Sequence, residues 1–227
     1  MKHRKAATAA GMASILCTAA CGTTLSPEDP ADIASWMDLY DVPGLSVAVI
    51  NDFALDYVEV HGVKSRSTGD PVTDETLFQA ASLSKSVSAV AVVALAEDGV
   101  VSLDAEINDY LTSWQLPDNA LQGSEKVTLR RLLSHTAGTT VSGFRGYRYS
   151  KPIPSLIQIL NGEPPANSDP IVVDLVPGTR FRYSGGGYEV MDQAVRDITG
   201  KSYPDFMSER VLRPLDMRLS TYEQPLQ

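Results

Sequence analysis

The chain has 227 residues, 43% of them apolar, enough to bury a real core in one large domain or two small ones. Its 28 acidic and 19 basic residues give a net charge of -9, which argues against nucleic acid as a partner, because phosphate binding needs a basic face. Both cysteines, Cys17 and Cys21, lie near the N-terminus, so no internal disulfide supports the body beyond residue 21.

Residues 1–24 differ from the rest. Lys2, Arg4 and Lys5 make a basic start, and a small, mildly apolar run follows from Ala6 to Ala20 without an acidic residue. This reads as a secretory signal peptide, too short and too weakly apolar for a comfortable membrane span. It predicts export, to the periplasm or beyond. Thr18-Ala19-Ala20-Cys21-Gly22 resembles a lipoprotein cleavage box, with Cys21 lipidated and Thr18 where Leu is expected. The alternative is cleavage near Ala20, with Cys21 left at a terminus. A single lipid chain would anchor the protein to a membrane only marginally.

Residues 25–43 read as a linker and a first helix. Pro27 and Pro30 mark the linker; Ile33, Trp36, Met37 and Tyr40 then share one helical face, and Pro43-Gly44 ends it. Leu45–Ile50 and Ala54–Val60 alternate around Asn51-Asp52, which predicts an antiparallel hairpin. Residues 62–76 read as loop. The clearest helix runs from Ser82 to Asp98, with Val87, Val90, Ala91, Ala94 and Leu95 on its buried face and Gly99 past its end. A short helical segment is expected from Asp104 to Leu111. Another helix starts at the N-cap Thr128 and ends at Gly138. Residues 139–176 read as a long loop, rich in glycine, proline and aromatics such as Phe144, Tyr147 and Tyr149, with a short helix from Ser155 to Leu160. So long an irregular stretch suits the wall or lid of a site. Helices Tyr188–Thr199 and Tyr203–Leu212 complete the pattern.

The chemistry starts at Phe78-Gln79-Ala80-Ala81-Ser82-Leu83-Ser84-Lys85. Residues three apart on a helix share a face, so Ser82 and Lys85 point the same way. A serine hydroxyl is a weak nucleophile until a neighbouring group activates it, and a helix N-terminus favours the negative charge that develops there. A bare Ser-x-x-Lys is nevertheless most often an ordinary solvated pair. Arg180-Phe181-Arg182-Tyr183-Ser184-Gly185-Gly186-Gly187-Tyr188 is the second candidate. Its glycines allow close backbone approach, and Tyr183 could carry a proton if cations such as Lys85 lower its pKa. Taken alone, Tyr183 reads as a packed aromatic. His135 admits a triad with Asp109 or Asp174 as orienter, though a structural role is the more frequent one for such a residue. No His, Cys or acidic cluster has metal spacing; His3 and His61 are isolated. No cofactor is implied.

Together these stretches resemble the serine β-lactamase and penicillin-binding protein superfamily, in its class C-like branch of esterases and D-peptidases. The residues that carry the likeness are Leu77–Lys85, Leu132-Leu133-Ser134-His135-Thr136-Ala137-Gly138, Pro177–Ser184 and Pro214-Leu215-Asp216-Met217. The resemblance implies an α/β (α+β) fold, an antiparallel sheet flanked by helices with a helical subdomain, over residues 44–227. It implies Ser82 as the acylated nucleophile, Lys85 as its proton-transfer partner, Tyr183 as the general base, and the Ser82 N–H as an oxyanion donor. Gly185, Phe144 and Tyr147 are the expected substrate-binding positions, and a small-molecule or peptide substrate, including cell-wall peptide, is the expected partner. His135 becomes a structural residue that bonds the turn at Gly138.

Two departures qualify this. Gly185 stands where the family's Tyr-x-Asn carries an amide that contacts the acylamide of penicillin-like substrates, which favours ester over lactam chemistry. No Lys-Thr-Gly or His-x-Gly follows Tyr183, so the sheet is expected to lack its C-terminal strands, with folding and activity impaired. The expectation is an exported serine hydrolase acting on an ester, a D-amino-acid peptide or a β-lactam. The competing readings are a non-catalytic cell-wall-binding remnant of the same fold, and a lipoprotein with a purely structural body.

Overall fold

The computed structural model describes residues 32–123, 125–148 and 150–224. The expected signal peptide, Cys17, Cys21, the 25–30 linker and Tyr149 lie outside the described residues. The chain divides into two compact units, residues 1–76 and 77–227, a division that falls within the stretch 44–227.

In the first unit, helix α1 spans Ile33–Leu39, and the Asp32 carboxylate caps it by accepting from the Ser35 N–H at 2.8 Å. Strands β1 (Gly44–Asn51) and β2 (Ala54–Gly62) pair antiparallel, from Gly44 opposite Gly62 to Asn51 opposite Ala54. Asp52 and Phe53 form the turn with φ of 47° and 62°, the left-handed pair that matches strand twist in a two-residue hairpin. The turn therefore sits one residue later than Asn51-Asp52. The register slips between Val49 and Ile50, a bulge that strict alternation does not reveal.

The second unit holds the helices. A 3-10 turn, Ala81–Leu83, leads into α2 (Ser84–Glu97), so Ser82 lies before the α-helix rather than opening it. The end of α2 is as expected, with Gly99 at φ 72°. Its buried residues are Ser88, Ala91, Val92 and Leu95, while Val90 is exposed; the buried face is rotated from the one that spacing suggests. The segment expected as helix from Asp104 to Leu111 is only a 3-10 turn, Ile107–Asp109. Helix α3 (Leu129–Leu133) is capped by Thr128 as predicted but stops well short of Gly138, because His135 turns the chain at φ 57°. Helix α4 (Leu156–Asn161) has a full capping box between Ser155 and Gln158. Helix α5 (Gly185–Thr199) begins three residues earlier than predicted, and α6 (Tyr203–Met207) passes into a wider π turn at Ser208–Leu212.

Helix α5 packs against α3, α4 and α6. Val92 and Leu95 from α2, Leu132 from α3, Leu160 from α4, Val190 and Met191 from α5, and Phe206 and Met207 form one apolar cluster. Full burial of each such side chain stabilises by about 1.5–3 kcal/mol. The 139–176 stretch is irregular apart from α4, and it is tied to itself by a bridge between Thr139 and Val173. Helices and a small antiparallel sheet agree with the α/β expectation; among the described residues that sheet has two strands.

Candidate active site

Ser82 and Lys85 do meet. The Lys85 Nζ donates to Ser82 Oγ at 3.2 Å, and Tyr183, 101 residues further on, brings its hydroxyl to 2.7 Å from the same oxygen. The serine oxygen thus lies between an amine and a phenol, each within hydrogen-bond reach. Ala81, just before Ser82, has φ 46°, a left-handed conformation that costs a β-carbon-bearing residue about 1–2 kcal/mol. Such strain often marks a site where one side chain must be aimed.

Tyr183 is held by its neighbours. Next to it, Ser184 caps α5: its Oγ accepts from Gly187 N at 2.9 Å and donates to the Thr140 carbonyl at 2.7 Å. The Ser184 N–H donates to His135 Nδ1 at 3.1 Å, while the Arg182 N–H donates to the His135 carbonyl at 2.8 Å. Both residues flanking Tyr183 are therefore tied to His135, whose ring lies 4.3 Å from the tyrosine ring. Burial and the Lys85 charge hold His135 below its ordinary pKa of 6.5, so it is neutral at pH 7 and its Nδ1 can accept. His135 is structural, as the resemblance implies, but its partner is Ser184 rather than the turn at Gly138. The Gly138 carbonyl accepts instead from Asp174 N and Arg182 Nη2. The triad alternative fails as well: Asp174 pairs with Arg182, and the His135 Nδ1 lone pair is taken by an amide rather than facing the carboxylate of Asp109 or Asp174.

The three glycines after Ser184 open α5 despite their poor helix propensity, because the 139–142 segment lies too close for larger residues there. A β-carbon on Gly186 would meet the Thr140 carbonyl oxygen at 2.7 Å, and one on Gly187 the Thr139 hydroxyl at 2.8 Å. This close approach sets the start of α5 against the 139–142 segment and so fixes Tyr183 at its edge.

An open cleft of about 640 Å³ is lined by Ser82, Lys85, Leu133, His135, Tyr183 and Tyr188 among others. Hydrogen bonding to Ser82 and then to Lys85, with the Lys85 charge, draws the Tyr183 phenol below its usual pKa of 10. Burial pushes Tyr188 the other way, which keeps it a hydrogen-bond donor to the Leu133 carbonyl at 3.1 Å. Lys85 Nζ lies 5.2 Å from the Tyr183 ring centre and 5.5 Å from that of Tyr188. Among the described residues no three His, Cys, Asp or Glu side chains converge as a metal site requires.

The family model described as Beta-lactamase matches residues 31–226. The chain belongs to the β-lactamase family. It is 30% identical over 198 residues to penicillin-binding protein 4 of Amycolatopsis lactamdurans, covering 84% of this chain and 49% of that protein. The structure of the octameric penicillin-binding protein homologue from Pyrococcus abyssi superposes with a TM-score of 0.65 at 26% identity, over 82% of this chain and 42% of the other. The D-alanine carboxypeptidase AmpC from Burkholderia cenocepacia gives 0.60 at 27% identity, over 82% and 46%. The chain thus spans about half the length of these β-lactamase-family relatives.

Within this family frame the residues read from the sequence separate into two groups. Ser82, Lys85 and Tyr183 converge on one atom. Gly185, Phe144 and Tyr147 do not line the cleft. Gly185 is buried at the start of α5 beside Phe144, and Tyr147 accepts from the Asn167 N–H at 3.3 Å within the 139–176 stretch. Tyr188 and the anchoring role of His135 were not read from the sequence. Their signal lies in contacts across more than 45 residues, which local spacing does not carry.

Proposed function

We propose that this chain forms the nucleophile-bearing part of a serine hydrolase that works through an acyl-enzyme on Ser82. The observation that carries this reading is the placement of Ser82 Oγ at 2.7 Å from the Tyr183 hydroxyl and 3.2 Å from Lys85 Nζ. In the productive state Tyr183 is the phenolate, favoured by the Lys85 charge. It accepts the Ser82 proton as Oγ attacks the substrate carbonyl, then returns that proton to the leaving group. The same tyrosine afterwards takes a proton from water for deacylation. The Ser82 N–H, beside the N-terminus of α2, stabilises the developing oxyanion; one such donor is worth about 3–4 kcal/mol of barrier.

Esters are the first substrate class, ahead of D-amino-acid peptides and β-lactams. Gly185 supports this order: it has no side chain to bond an acylamide, and its β-carbon position is filled by the Ser142 carbonyl at 3.2 Å and Phe144 at 3.4 Å. An exported protein, with Cys21 as the lipid attachment point and cell-wall peptide among its substrates, fits the same reading. Release of p-nitrophenol from an acyl ester tests it. Tyr183→Phe keeps the ring and removes the proton carrier, so the acylation burst should slow by about 10²–10⁴-fold. Equal bursts in the two proteins would contradict the assigned base.

A further inference from the structure

The turn that carries Ser82 and Lys85 has a weak N-terminal end. Neither the Ala81–Leu83 turn nor α2 has a side-chain cap, and Ala81 is in the left-handed region. Uncapped first turns fray, because their backbone groups lack partners. Yet the proposed chemistry needs Ser82 Oγ held within 0.5 Å or so of one geometry.

A tyrosine distant in sequence meets this turn. The Tyr222 hydroxyl donates to the Ser84 carbonyl at 2.7 Å, and Ser84 lies between Ser82 and Lys85. The same hydroxyl lies 3.2 Å from Ser88 Oγ, which is itself 3.0 Å from the Ser84 carbonyl. Two hydroxyl protons serve these three contacts. Tyr222 donates to the carbonyl, and Ser88 donates either to that same carbonyl or to the Tyr222 oxygen. In both arrangements the Ser84 carbonyl gains a side-chain donor beyond its helical one. Ser88 is buried, so water does not compete freely for these protons. The Tyr222 ring is seated edge-on against Tyr203, with centroids 5.5 Å apart. Further along α2, Arg210 donates to the Ala94 carbonyl and pairs with Asp98, so the 208–222 stretch grips the helix near both ends.

We infer that Tyr222 is a positioning residue for the Ser82 site, bracing the first turn of α2 so that Ser82 and Lys85 stay in reach of each other and of Tyr183. This rests on Ser82 being the nucleophile, so the test has one arm that depends on reactivity and one that does not. Tyr222→Phe keeps the ring against Tyr203 and removes only the hydroxyl. Tyr110→Phe is the control; its hydroxyl accepts from the Ser102 N–H at 2.7 Å, away from α2. Amide hydrogen exchange over residues 84–89 should quicken roughly 3- to 10-fold in Tyr222→Phe, the range one lost hydrogen bond supplies, and stay unchanged in Tyr110→Phe. Acylation of Ser82 by a p-nitrophenyl ester should slow by a similar factor at nearly constant melting temperature. Equal exchange in Tyr222→Phe and wild type overturns the brace, whatever the reactivity. Faster exchange with unchanged acylation overturns the positioning role. A wild-type protein that never forms an adduct sinks the nucleophile reading, and the exchange arm still decides the brace.

Discussion

Three side chains from two distant stretches meet at one oxygen, and two of them lower the pKa of the third. The hydrogen bond with Ser82, and after it Lys85, lowers the Tyr183 pKa from 10, and a tyrosine base works only when ionised. Acylation should therefore rise with pH through an apparent pKa below 10. Lys85→Met removes the cation, so this limb should move to higher pH as the plateau rate falls, as read from adduct formation against pH. A limb that stays in place would mean that Lys85 does not act on Tyr183. At this scale the sequence was informative for Ser82 and Lys85, whose spacing is local. Tyr183 alone read as a packed aromatic; the role proposed for it rests on a contact across 101 residues.

The elements hold that cluster through close backbone approach at the start of α5. Gly186→Ala would drive a β-carbon into the Thr140 carbonyl at 2.7 Å and Ile171 at 3.0 Å. The loss should be about 1–3 kcal/mol, seen in denaturant unfolding, because the obstacle is backbone rather than a flexible tip. Gly143 has open space where its β-carbon would stand. Gly143→Ala should be neutral or stabilise by about 0.4–1 kcal/mol through the unfolded state. Helices with strong end signals were legible: Thr128 caps α3, and Gly99 and Gly200 follow α2 and α5, whereas Ser155, read as the first residue of α4, is its cap. The Gly185–Gly187 turn was not, because glycine propensity argues against helix and only the 139–142 segment explains it. Likewise Val90 fits the apolar spacing of α2, yet the packing of Ala91, Val92 and Leu95 turns it outward.

For the whole molecule, the fold class was legible because the motifs mark a known arrangement, and the family match over residues 31–226 agrees. The polar side chains inside it were not foreseen. Burial, reinforced by Asp192, raises the half-buried Glu189 carboxyl from 4.5 to about 7, with Lys85 and Arg196 opposing. A carboxyl raised on folding contributes fully only below its unfolded pKa, and that contribution is lost as pH rises through about 7. Glu189→Gln should then melt higher than wild type at pH 8, with the gain shrinking as pH falls toward 4.5. A gain that persists unchanged at low pH would contradict that origin. The central claim, that this chain presents an activated serine, is tested most directly by intact mass after incubation with a p-nitrophenyl ester and, separately, with a penicillin. The account predicts a mass increase equal to one acyl group, larger in extent with the ester and absent in Ser82→Ala. A folded protein that gains no mass, or an adduct that survives in Ser82→Ala, would contradict it.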